Sequence, residues 1–175
     1  MTDNEKLFDA GMDRAKKIIY NHLTDFLMNI CEETVNYAMS HHSGFRNFTG
    51  NTHTGYACGV YVEGKLVGIV SSADKAKPPV RVKVTAGETA FLDPDYDGAA
   101  RKFTGKIETD RGFGQHYAAK FLNAHKPPSD KGIAFAMTTG TEYSEYLEIV
   151  YHADVLTGTF SEIPKMLYNS LKPLP

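Results

Sequence analysis

The chain is 175 residues long, 42% hydrophobic and 23% charged, a composition that can bury a core without disulfides or a structural metal. Its net charge of −2 argues against nucleic-acid binding as the main activity. The opening Met1-Thr2-Asp3-Asn4-Glu5 has neither the basic nor the apolar region of a signal peptide, and no apolar run approaches membrane-spanning length. The expected setting is therefore cytosol, or a particle assembled in it.

From Asp3 to Ser40 the sequence holds no proline and one glycine, Gly11, which is a candidate break. Phe8, Met12, Ala15, Ile19, Leu23, Phe26 and Ile30 recur at steps of three or four. That spacing lines them along one side of a long helix, with Ile18, Leu27, Val35 and Met39 widening the stripe. Asp13, Lys17, Asn21 and Asp25 take another side, and Cys31 falls on the stripe as a small hydrophobe. A helix this long exceeds what a single small domain usually needs. Two readings stand: the stripe docks wholly on the chain's own sheet, or part of it meets a neighbouring subunit. His41-His42-Ser43-Gly44 ends the helix, because glycine takes the left-handed cap conformation readily.

Next comes the loop Phe45-Arg46-Asn47-Phe48-Thr49-Gly50-Asn51, followed by apolar runs at 55–62 and 66–70 around Glu63-Gly64. Two such runs about a tight glycine turn predict a β-hairpin. Ser72 to Lys131 differs in composition, with 11 Lys/Arg against 8 Asp/Glu and proline at 78, 79, 94, 127 and 128. Within it Val80–Val84 alternates as a half-exposed strand, Asp93–Gly112 reads as a turn-rich loop, and Gly114–His125 reads as a helix striped by Tyr117, Phe121 and Leu122. Ile133–Met137 predicts a buried strand. Tyr143, Tyr146, Leu147 and Val150 predict a short helix, and a last helix starts near Ser161, with Pro164 in its first turn and Pro173 stopping it. The expected fold class is α+β: a long N-terminal helix packed on a small, mostly antiparallel sheet, two or three further helices, and an arm inserted at about 74–111 of a single 1–175 domain.

No constellation in the sequence specifies a reaction. His41, His42 and His53 lack zinc-type spacing to cysteine or carboxylate, and His116 and His125 fall on opposite sides of one helix. Cys58 lies in a strand without a basic neighbour, and no Gly-x-Ser-x-Gly elbow occurs. Two separated cysteines make no disulfide framework and point to a reducing compartment. Glu142, Glu145 and Glu148 read as the solvated face of the short helix. Gly112-Phe113-Gly114 lacks the Gly-Lys-Ser/Thr of a phosphate loop. No catalytic residue, metal or cofactor is expected. Arg101, Lys102, Lys106 and Arg111, interleaved with Glu108 and Asp110, form either a solvated loop or one that touches an acidic partner. Tyr143, Tyr146 and Tyr151 suit either a subunit interface or a core edge.

The order of features carries the one specific signal. A long amphipathic helix precedes Asn47-Phe48-Thr49-Gly50-Asn51 and a hairpin. A later helix and strand lead to Gly140-Thr141-Glu142-Tyr143-Ser144-Glu145-Tyr146-Leu147-Glu148, then His152–Thr157 and a closing helix. This order resembles the head–tail connector and tail-completion proteins of tailed phages, which carry a Thr-Gly-Asn-Leu loop and a Tyr-x-x-Tyr-hydrophobic-Glu segment. The resemblance covers roughly residues 5–72 and 112–172; Thr52 stands where the family has leucine, and the arm has no counterpart. It implies a non-enzymatic structural protein of the virion neck or tail, assembled in the host cytoplasm. Its partners would be copies of itself in a six- or twelve-fold ring and other neck or tail proteins, close to packaged DNA and without a membrane. Candidate subunit contacts are Phe45, Arg46, Phe48, Thr49, Asn51, Arg101, Lys102, Tyr143, Tyr146 and Tyr151. The alternatives are a soluble monomeric binding or accessory protein and a small hydrolase.

Overall fold

Tyr56–Val62 is a seven-residue run without a charge, too continuous for a strand with one wet face. The computed structural model describes residues 2–41, 50–76, 83–85, 87–90, 101–102, 107–108 and 113–171. In chain order its elements are α1 (Asp3–His41), β1 (Tyr56–Val62), β2 (Lys65–Ser71), β3 (Lys83–Val84), β4 (Thr89–Ala90), β5 (Arg101–Lys102), β6 (Ile107–Glu108), α2 (Phe113–Ala124), β7 (Ile133–Thr139), α3 (Ser144–Tyr151) and α4 (Thr157–Ser170). The fold is α+β. β1 is the centre of an antiparallel sheet ordered β2-β1-β7, and both of its faces are covered. Tyr56, Cys58 and Val60 join Cys31, Val35 and Ala38 of α1, with Met137 and Val155, in the main core. Ala57 packs with Ala118 and Leu122 of α2 on the other side.

The hairpin forms as its sequence predicts. Glu63 and Gly64 both take positive φ, 48° and 75°, the combination that matches the twist of the flanking strands. The pairing shifts by one residue after Val60, leaving Val67 as a bulge on the edge strand β2. The ladder continues past Tyr56 through a side chain. Ser72 Oγ accepts from the Tyr56 amide at 3.1 Å and donates to its carbonyl at 3.0 Å.

α1 runs unbroken through Gly11, so the expected break is absent; at about 1.5 Å per residue it spans about 58 Å. Its fully buried residues, Ile30, Cys31, Thr34, Val35 and Ala38, all lie in the last third. Every residue from Thr2 to Ile19 is exposed. Docking of the whole stripe on the chain's own sheet is therefore ruled out. The sheet is about as long as seven residues of strand and supports only the C-terminal part of the helix. Lys16, paired with Glu63 at the hairpin tip, marks where that support stops.

Three other expectations need correction. The 93–112 segment is not loop throughout, since it supplies β5 and β6. Lys83–Glu108 and Val84–Ile107 pair β3 with β6, and Thr89–Lys102 and Ala90–Arg101 pair β4 with β5, as two short antiparallel ladders. Of the predicted Val80–Val84 strand, Lys83 and Val84 are seen and residues 80–82 lie outside the described set. α2 buries Ala118 and Leu122, whereas Tyr117 and Phe121 are exposed, because it crosses the sheet on a narrow stripe of mixed size. α4 begins at Thr157, four residues before Ser161, which puts Pro164 inside the helix. Pro173 lies outside the described residues.

Cys31 and Cys58 are both free and buried. Donation of the Cys58 S–H to the Cys31 sulfur, together with burial, pushes the Cys58 thiol well above its ordinary range. A protonated, enclosed thiol is a packing group. Tyr56 is also fully buried, and its hydroxyl has no hydrogen-bond partner among the described residues. Burial, reinforced by Asp154 and Glu148, raises its pKa and keeps it neutral. An orphaned buried hydroxyl costs free energy that phenylalanine would not. Tyr56→Phe is expected to leave the thermal midpoint unchanged or raise it by about 2–4 °C. A clear fall in a melting experiment would show that the hydroxyl has a partner after all.

Candidate interaction surfaces

The loop before β1 is an internal junction. Gly50, at φ 78°, starts a turn closed by Thr54, whose amide and hydroxyl both donate to the Gly50 carbonyl at 3.0 and 2.9 Å. Asn51 is 2% exposed, and its Oδ1 accepts the Gly114 amide at 2.8 Å, capping the first turn of α2. The Thr52 hydroxyl meets the Tyr143 hydroxyl at 3.0 Å, and His53 Nε2 lies 3.0 Å from the Met39 carbonyl of α1. The Gly140 amide donates to the Gly55 carbonyl at 2.9 Å. A side chain on Gly140 would overlap the Gly114 carbonyl, so these two backbones pass in direct contact. Asn51 is therefore removed from the list of contact residues, because it faces inward as a helix cap. Thr52 serves the same junction through its hydroxyl.

The second motif segment is partly internal. Thr141 and Ser144 share a buried hydroxyl–hydroxyl contact, and α3 ends at His152 in the left-handed conformation, φ 51°. Glu148 does not belong to a solvated face. Its Oε1 accepts the amides of Leu156 and Thr157, and its Oε2 accepts the Thr157 hydroxyl at 3.0 Å. Asp154 Oδ1 accepts the Gly158 amide at 2.8 Å, and the carboxylate occupies the space a side chain at 158 would need. Two carboxylates thus satisfy the free amides at the positive end of α4. This non-local cap is why α4 starts before Ser161. Glu142 and Glu145 are exposed, as expected.

Two helices also turn large apolar residues outward. On α1, Leu7, Phe8, Met12, Ile18, Ile19 and Leu23 are 42% to 72% exposed. On α4 and its C-cap, Phe160, Tyr168 and Leu171 are 54% to 79% exposed and share a face with the exposed Pro164, while Thr159 and Ile163 are buried. A surface helix normally turns polar residues to that side. The α4 face was missed in the sequence. Its 160-164-168-171 spacing was readable, but a helix begun at Ser161 excludes Phe160. Tyr146, Ile149 and Val150 of α3 are also exposed, and Tyr143 exposes part of its ring. Arg101 and Lys102 form β5, and Tyr151 closes α3. Phe45, Arg46, Phe48 and Thr49 lie outside the described residues.

Among the described residues no group of three or more His, Cys, Asp or Glu is placed to hold a metal ion, and no helix is long and apolar enough to cross a membrane. The chain matches no protein-family model, no curated protein and no solved structure.

The inward polar residues and outward apolar residues should respond oppositely to substitution. Asn51→Ala leaves the Gly114 amide without an acceptor and should cost about 1–3 kcal/mol. Glu148→Ala uncaps α4 and should cost about 1–2 kcal/mol. Ile19→Ser and Tyr168→Ser should stay within about 0.5 kcal/mol of the parent. Urea unfolding of the four variants checks the ordering.

Proposed function

We propose that this chain is a structural subunit of a tailed-phage particle that assembles head to tail into a ring in the neck or tail, around the DNA passage. The observation that carries the proposal is the pair of separate apolar faces, on the N-terminal half of α1 and on α4. An uncovered apolar surface of this size marks an interaction site, and single-chain stability does not require it. Rings need heterologous contacts, in which one patch meets a different patch on the next copy. A chain with two distinct faces meets that requirement. The order of helix, loop, hairpin and closing segments, by which the sequence resembles connector and tail-completion proteins, supplies the particle. The polar groups described are engaged in caps and junctions, which leaves the surface for assembly.

Mass spectrometry of purified virions from the phage encoding this chain should detect it in a few copies per particle, and deleting its gene should leave heads and tails unjoined or tails incomplete. Absence from virions, with normal particles after deletion, would sink the proposal.

A further inference from the structure

We propose that the contact between successive copies is made by the free N-terminal half of α1 from one copy lying on the outer face of α4 in the next. The inference rests on the ring-forming reading above and names its interface.

Three observations select this occupant. First, α4 already packs one side on its own α1, where Thr34 Oγ1 lies 3.7 Å from Met166 Sδ. Its other side, Phe160, Tyr168 and Leu171, is bare. The uncovered stripe of α1 continues the one that is buried from Ile30 onward, so a neighbour's α1 would repeat on the outside of α4 a helix pairing the fold makes on the inside. Second, the combined area is of the right order. At roughly 200 Å² for a fully exposed large side chain, the α1 face offers on the order of 700 Å², and Phe160, Tyr168 and Leu171 on the order of 400 Å² by the same measure. Together they come close to the roughly 1,200 Å² at which specific interfaces begin. Third, Phe8, Ile19 and Ile30 recur every 11 residues, as do Met12 with Leu23 and Ala15 with Phe26. An 11-residue period does not sustain the seven-residue seam of a common left-handed coiled coil, which disfavours pairing two α1 helices with each other. Such pairing would also leave α4 bare.

The test uses two single variants of the full chain, Ile19→Cys and Tyr168→Cys, treated with a short bis-maleimide. The native cysteines are buried, so the parent is the blank. At about 1 mM chain, where even a millimolar contact is populated, an equimolar mixture should give covalent dimer at least about tenfold above either variant alone. Equal cross-linking by Ile19→Cys alone overturns the proposal in favour of α1–α1 pairing. No dimer in the mixture also overturns it, and means that another protein or another segment of this chain covers the face. Phe8→Cys with Leu171→Cys repeats the test should either first variant fail to fold. Electron microscopy separates this inference from the ring reading. Open chains that carry the cross-link keep the contact and reject the ring. Closed rings without the cross-link keep the ring and reject the contact.

Discussion

The structure depends on the place where the backbones at Gly55, Gly114 and Gly140 meet. The entry to β1, the start of α2 and the exit from β7 converge there, with the Gly55 carbonyl accepting the Gly140 amide and Asn51 accepting the Gly114 amide. Side chains would force these segments apart, since a Cβ at Gly114 would lie 2.7 Å from the Asn51 carbonyl oxygen. With its start held by Asn51, α2 is held near its other end by the Tyr61 hydroxyl, which donates to the Leu122 carbonyl at 2.6 Å. The segment leading into β1 and β1 itself thus grip both ends of the helix that covers one of its faces. The register of β1 with β7, constant over seven pairs, follows from the same anchor.

A second joint, of charged rather than amide groups, sets the position of α4. Glu148 comes from α3 and Asp154 from the connection, and together they serve the amides of the N-cap Leu156 and of Thr157 and Gly158, the first two residues of the helix. Both joints use polar residues inside the fold, while the outer sides of α1 and α4 carry aliphatic and aromatic groups. The usual distribution of polarity is locally inverted. In a subunit that meets its neighbours through helix faces, that inversion is the expected arrangement, because the outside of one copy becomes the inside of the assembly.

The parts of the fold written in local pattern were legible in the sequence: the 3.6-residue period of α1, the Glu63-Gly64 turn, and the apolar run of β7. The parts set by distant partners were not. Asn51 looked like a surface residue in a polar loop, and its role depends on an amide 63 positions away. Glu148 looked solvated because Glu142 and Glu145 are, yet its acceptors serve residues eight and nine positions on. The start of α4 was misplaced for the same reason, as Ser161 and Pro164 resemble a local first turn while the real cap is brought in from α3. Periodicity did find the α1 stripe but carries no information about how far the sheet extends beneath it. The exposed half was therefore visible as apolar, with the docked and the uncovered readings both left open.

That half-supported helix has a consequence for the free chain. Starting a helix is the unfavourable step, and the docked turns around Ile30–Ala38 supply a permanent start. Growth toward Asp3 then proceeds one hydrogen bond at a time through residues of middling propensity and across Gly11, which alone weakens it by about 1 kcal/mol relative to alanine. Backbone protection against solvent exchange should decline as a gradient from the docked end to the tip. Whatever lies against the tip would then consolidate structure already begun elsewhere in the molecule, so recognition and completion of the helix are a single event.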